Sequence, residues 1–188
     1  GSRIARRDLE TAAPVAVVNS EEFELSGSVN VESVINTLPQ VVPGTTSFSN
    51  NPGDGTATLN LRGLGATRTL VLVNGKRMHR SALVQIGANA QSAGAHSADL
   101  AQIPAIAVRA VEVLRDGASA QYGSDAIAGV INMTLRNDTD GISGYARYGQ
   151  YYRGDGEDYQ VALNGGFKLG DSGFINISGE YVNAGKTS

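Results

Sequence analysis

Cysteine is absent from this chain of 188 residues, so neither a disulfide framework nor a thiolate metal site can form, and the sequence carries no mark of its redox compartment. Only two histidines occur, His79 and His96, seventeen positions apart and without a carboxylate at ligand spacing, so no metal site is expected. No run of about 18 apolar residues exists that could cross a bilayer as a helix. Gly1 to Asp8 carry charge without the apolar core of a secretory signal, so any export signal is expected to have been removed already. Charge is sparse at 18% and nearly balanced, 15 Lys+Arg against 18 Asp+Glu. Without a basic cluster or an aromatic-basic alternation, nucleic acid is not expected as a partner.

Signatures of catalysis are missing as well. No G-x-S-x-G elbow is present, so Ser119 or Ser124 with His79 or His96 and an aspartate make no recognisable hydrolase triad. Gly63-Leu64-Gly65 lacks the third glycine of a dinucleotide fingerprint, because Arg68 stands there. The expectation is a protein that is not an enzyme and holds no cofactor.

Glycine is abundant instead, with 24 residues, well above the ordinary share of about 7%, and tight turns or close backbone approaches should follow. Pro14 to Val18 reads as a first strand, leading to a turn at Ser26-Gly27. Val31, Val34, Ile35 and Leu38 form one apolar face of a helix, with Asn30 as N-cap and Pro39 as stop. Pro43 to Thr56 has the composition of an exposed loop. Leu59 and Leu61 alternate in a strand over Thr58 to Leu64, and the denser run Leu70 to Val73 ends at the turn signal Asn74-Gly75. Met78 to Ser97 reads as a second long surface loop. A helical turn over Ile103 to Val108, a strand over Ala110 to Leu114, a short helix over Ala118 to Tyr122 closed by Gly123, and a buried strand over Ala126 to Leu135 containing Gly129 complete a mixed α+β unit.

After Asp140 the pattern changes to period two. Tyr159, Val161, Leu163, Phe167 and Leu169 alternate with Gln160, Ala162, Asn164 and Lys168, and Ile175, Ile177 and Tyr181 alternate with Asn176, Ser178 and Glu180. Gly154 to Glu157 and Gly170 to Gly173 are turn sequences, so consecutive hairpins are expected. Of 7 Tyr and 4 Phe, six Tyr and two Phe lie in this last stretch, mostly near the segment ends. Such segments fit membrane β-barrel strands of about 9 to 11 residues with aromatic girdles, and they equally fit a soluble meander with one wet face.

Several segments, in order, resemble the plug of TonB-dependent outer-membrane receptors. They are Pro14 to Val18, Leu38-Pro39, Leu59-Asn60-Leu61-Arg62-Gly63-Leu64-Gly65, Leu70-Val71-Leu72-Val73-Asn74-Gly75-Lys76-Arg77, Val111 to Gly117, and Ala120 to Asn132 with its Tyr122-Gly123-Ser124-Asp125. The resemblance covers about residues 14 to 136, with alternating strands where the family's barrel begins. It implies a lead segment at 1–13, a plug at 14–140 with a mixed sheet and short helices, and the first strands, at 141–188, of a barrel of roughly 22 strands. The chain is thus read as a fragment, with Gly1-Ser2 either native or a cloning remnant. It also implies a location in the outer membrane of a Gram-negative cell, with the plug inside the barrel lumen. Partners are implied too: the chain's own barrel, TonB through a box upstream of Gly1, and a small ligand such as a siderophore, a cobalamin or a carbohydrate.

By the same resemblance Arg62 and Arg115, with Arg77 behind them, meet glutamates of the inner barrel wall and lock the plug. The two long loops hold the ligand-facing apices, with Phe48, Asn50, Asn51, His79, Arg80 and His96 as contact candidates. Gly63, Gly65, Gly75, Gly117, Gly123 and Gly129 are the motif glycines. The implied role is energised import; a stand-alone periplasmic or surface binding module on the same fold and a signal-transducing receptor are the alternatives.

Overall fold

The computed structural model describes residues 15–20, 22, 30–44, 46, 55–85, 92–116, 118–150, 152 and 156–185. The expected lead segment, the turn at Ser26-Gly27, Phe48, Asn50, Asn51 and Gly117 lie outside the described residues. The chain divides into two compact units, residues 1–135 and 136–188.

The first unit is built on a mixed five-stranded sheet. Its strands are β1 (Val15–Asn19), β4 (Thr69–Val73), β5 (Lys76–Arg77), β6 (Val108–Leu114) and β7 (Gly129–Leu135), in the order β1-β6-β7-β4-β5. β7 pairs antiparallel with β6 and parallel with β4, Leu70 opposite Val130 and Val71 opposite Ile131. Both faces of this sheet are covered, which is why Leu70 to Val73 reads as an unbroken apolar run. Val71, Val111, Val113, Ile131 and Met133 face the larger core, shared with Val31, Val34 and Ile35 of helix α1 (Val31–Ile35) and with Leu59 and Leu61. Leu70, Leu72, Leu114 and Val130 face a smaller core with Ala118, Ala126 and Tyr122, around the short helix α2 (Ser119–Tyr122). A separate two-stranded ribbon, β2 (Val41–Pro43) with β3 (Leu59–Leu61), completes the unit.

The short-range signals are realised at their positions. Asn74 and Gly75 both take positive φ, 49° and 75°, the conformation a tight hairpin between β4 and β5 requires. Gly123 ends α2 with φ 94°. Other boundaries shift. β6 starts at Val108, ahead of the expected Ala110, after a 3-10 turn at Ala105–Ala107 that follows Pro104. β7 starts only at Gly129, because Ser124–Ala126 forms a 3-10 turn. Asn30 stands at the N-cap of α1 with extended φ and ψ, yet its side chain does not cap the helix.

Gly129 is required by space and by backbone. Its φ is 141°, and a Cβ there would stand 2.3 Å from the Leu114 carbonyl oxygen and 2.9 Å from Leu61 Cδ1. Gly129→Ala should therefore lower the stability of the first unit by at least about 1–3 kcal/mol, measured as a fall in the urea midpoint at unchanged slope.

The second unit is an antiparallel meander of β8 (Ile142–Gly149), β9 (Asp158–Leu169) and β10 (Gly173–Ala184), in the order β10-β9-β8. Its alternation is inverted relative to a soluble sheet. Val161, Leu163, Phe167, Leu169, Ile175, Ile177 and Tyr181 are exposed, while Gln160, Ala162 and Asn164 are shielded from solvent. Asn164 Nδ2 donates to Asn176 Oδ1 at 2.6 Å and to Ser178 Oγ at 2.7 Å, so the shielded face is held by amide and hydroxyl bonds. A continuous exposed apolar face of this kind drives association, with each large side chain contributing on the order of 1.5–3 kcal/mol when covered. The purified chain should therefore self-associate in light scattering, and a chain ending at Asp140 should not; a strictly monomeric full chain would contradict this.

Candidate functional site

Arg62 occupies an uncommon conformation. It and Gly63 both have positive φ, 57° and 72°, in the turn where Leu64 N–H donates to the Leu61 carbonyl at 3.1 Å. Arg62 N–H in turn donates to the Gln40 carbonyl at 2.7 Å, and Gln40 itself has φ 72°. The turn is fixed from inside: Asn60 Oδ1 accepts from Gly65 N–H at 2.8 Å, and Thr69 Oγ1 accepts from Leu61 N–H at 3.2 Å. A left-handed residue with a Cβ costs roughly 1–2 kcal/mol, and glycine would avoid that cost. The side chain of Arg62 points outward, exposed, and approaches Asp116 Oδ1 at 3.9 Å. Asp116 follows Arg115, which is half-buried at the end of β6. The structure thus brings Arg62 to the turn that bears Arg115, on the exterior of the unit. An exposed pair of this length contributes at most about 1 kcal/mol and leaves the guanidinium available to other acceptors.

The two long loops share a base. Asp99 is buried, and its Oδ1 accepts from Ala57 N–H at 2.9 Å and from Ala101 N–H at 3.0 Å. Leu100 N–H returns a bond to the Ala57 carbonyl at 2.9 Å. The end of the first loop is therefore sewn to the end of the second by one carboxylate and a pair of backbone groups. Thr56, expected to be exposed, is buried beside this junction.

The second loop is not a plain surface excursion. Ser81 N–H donates to the Ser97 carbonyl, Gln85 N–H to the Ala95 carbonyl and Gly94 N–H to the Gln85 carbonyl, so its described part folds back on itself. Gln85, Ser92 and Ser97 are buried, because each side chain bonds within the fold: Gln85 to Ser97, and Ser92 Oγ to Ala66 N–H. His79 is exposed, and exposed His96 donates from Nδ1 to the Ser81 carbonyl at 3.0 Å, which fixes its tautomer.

Arg77 and Arg80 converge on a single carboxylate. Asp125 Oδ2 accepts from Arg77 Nη1 at 2.6 Å, and Oδ1 pairs with Arg80 Nη2 at 3.2 Å. Arg77 also donates to the Tyr122 carbonyl. Arg77 is therefore tied inside the unit, unlike Arg62. Among the described residues no group of three His, Asp or Glu is arranged to hold a metal ion.

Set beside known proteins, residues 7–130 match the TonB-dependent receptor plug domain model. The chain belongs to the TonB-dependent receptor plug family. Its fold is found in the siderophore receptor PirA of Acinetobacter baumannii, at 26% identity over 90% of this chain and 24% of that one, with a TM-score of 0.69. It is found also in the ferric enterobactin receptor PfeA of Pseudomonas aeruginosa, a mutant in complex with enterobactin, at 23% identity over 93% and 25%, TM-score 0.69. The ferric citrate transporter FecA, unliganded, shares it at 19% identity over 93% and 26%, TM-score 0.65. These matched proteins are receptors and transporters, and the chain spans about a quarter of their length.

On this plug the motif glycines Gly63, Gly65, Gly75, Gly123 and Gly129 all have positive φ. Two carboxylates that tie this region together escaped sequence reasoning. Asp99 stands before the 3-10 turn Leu100–Gln102, the place of an N-cap, and the cap signal was there to be read. Asp125 lies inside a plug motif segment, but its two arginines are 45 and more positions away, which no local pattern reveals. Asp99→Ala leaves the buried Ala57 N–H without its acceptor and should cost about 1–3 kcal/mol, whereas Asp99→Asn keeps a carbonyl oxygen there and should retain most of the stability. Amide exchange at Ala57 and Ala101 reads the difference directly.

Proposed function

We propose that this chain is the plug, residues 14–140, and the first wall strands, residues 141–188, of an outer-membrane receptor that imports a small ligand with energy delivered by TonB. The inverted alternation of β9 carries the reading. A strand whose apolar residues Val161, Leu163, Phe167 and Leu169 are exposed while Gln160 and Asn164 are shielded suits a wall with lipid outside and a polar lumen inside. A stand-alone binding module would leave that apolar face in water. The similarity to PirA, PfeA and FecA favours a siderophore, an iron chelate, among the ligand classes considered.

In this reading the plug blocks the lumen, its loops meet the ligand at the extracellular side, and force from TonB rearranges the plug to open a path. No bond is made or broken, so no catalytic residue is called for. Arg62 and Arg115 are the plug's side of the lock, engaging carboxylates on the barrel wall, and the left-handed backbone of Arg62 supports that role. Glycine would avoid the strain of this backbone, and a role for the guanidinium accounts for arginine there.

The test separates stability from function. Arg62→Gly removes the backbone strain and raises chain entropy in the unfolded state, two effects that nearly cancel. The melting temperature of the 188-residue chain should therefore stay close to that of the unsubstituted chain. In cells producing the whole receptor, the same substitution should abolish proton-gradient-dependent uptake of iron chelates or make the pore leaky to large antibiotics. Unchanged uptake and an unchanged permeability barrier would remove the lock from the reading.

A further inference from the structure

Two guanidinium groups facing one carboxylate leave a positive charge that no further carboxylate among the described residues neutralises. Arg77 is held twice, by Asp125 Oδ2 and by the Tyr122 carbonyl. Arg80 is held once, by Asp125 Oδ1 at 3.2 Å, and its side chain is 54% exposed. The remaining donors of its planar fork have no partner among the described residues. Beside it opens a pocket of about 130 Å³, lined by Arg77, Arg80, Asp125, His96, Thr67 and Ser97. This volume corresponds to about four water molecules, room for one carboxylate or similar oxyanion but not for a whole chelate.

We infer that this pocket is a seat for a single oxyanion group of a small acidic ligand, received by Arg80 and closed by Thr67 and His96, with Asp125 as the internal placeholder that the ligand's carboxylate displaces from Arg80. Arginine suits this exchange. Its fork donates to two oxygens side by side, so an incoming carboxylate can bind two donors where Asp125 now engages one. Arg77 stays fixed through the Tyr122 carbonyl while Arg80 changes partner, so the strand β5 need not move. Displacement releases one tether between the start of the second loop and the 3-10 turn that leads into β7. The seat rests on the reading of the second loop as ligand-facing, and it adds the chemical class, a ligand carrying at least one exposed oxyanion.

The experiment is an NMR titration of the 188-residue chain with citrate and, separately, with sulfate, at constant ionic strength. The expected result is a saturable shift of the Arg80 side-chain Nε–H and His96 ring resonances in at least the citrate arm. Arg80→Gln, a change at an exposed side chain, should weaken the binding by about tenfold or more. Asp125→Asn, which removes the placeholder charge, should tighten it several-fold. Arg109→Gln, on β6 and outside the pocket lining, should leave it unchanged. Shifts that spread over the surface arginines without saturating, or a response that persists in Arg80→Gln, would overturn the proposal. Uptake through the whole receptor is scored separately: iron-chelate uptake that is intact while neither anion binds defeats the oxyanion seat and leaves the import reading standing, whereas binding without any energised uptake defeats the import reading and not the seat.

Discussion

The parallel pairing of β4 with β7 is the constraint from which the rest of the plug follows. Antiparallel neighbours can be joined by a two-residue turn, but parallel neighbours demand that the chain leave one end of the sheet and return to the other. Between Val73 and Gly129 the chain makes that return, and on the way it lays down β5, the second loop, β6 and α2. Loops that begin and end on a sheet buried on both faces can be long without loosening the sheet. The return also explains Gly129. β7 enters between β6 and β4 at the one point where the Leu114 carbonyl and Leu61 both press on its backbone, and no side chain fits.

Buried polar side chains do much of what large apolar ones do in other domains of this size. Asn132 donates to Glu112 Oε2 at 2.8 Å and accepts from Gly75 N–H at 2.9 Å, binding β7 to β6 and to the turn between β4 and β5 from one position. Asn74 Oδ1 accepts from Leu135 N–H, anchoring the hairpin turn to the end of β7. Asn60, Thr69 and Ser92 hold the turns around Arg62 and Ala66 in the same way. Such bonds are directional, so they specify a single arrangement where an apolar contact would tolerate several. They also fail cleanly when one partner is withdrawn, because a buried donor left alone costs more than the bond contributed.

What the sequence made legible was local. The Asn74-Gly75 turn, the two-faced strand at Leu70 to Val73, the helix face of Val31, Val34 and Ile35, and Gly123 closing α2 each depend on neighbours within a few residues, and each is where the pattern put it. The misplaced features depend on distant partners. The turn Ala105–Ala107 ahead of β6 lies within the expected helical turn Ile103 to Val108, but the start of β7 is set by the 3-10 turn Ser124–Ala126, whose Ala126 packs into the core and which propensity does not mark. Met78 to Ser97 has loop composition, yet Gln85 and Ser97 are buried because they bond each other twelve positions apart. The candidate site divides the same way. Arg62 and its glycines stand in one short motif, whereas the Asp125 carboxylate with Arg77 and Arg80 exists only in three dimensions.

Period-two alternation by itself left open which row of the last three strands is covered, and burial answers that. In a soluble meander the apolar row would turn inward, since exposing Leu163, Phe167, Leu169 and Ile177 to water has no compensating gain. Here that row is the exposed one, and the opposite row is closed by Asn164, Asn176 and Ser178 bonding across β9 and β10. Tyr159 and Tyr181, ring centroids 6.1 Å apart, lie across the same strand pair near its end, where an aromatic ring with a polar tip can sit between hydrocarbon and water. A surface arranged in this order is stable only where another apolar surface covers it, whether lipid or a second copy of the chain.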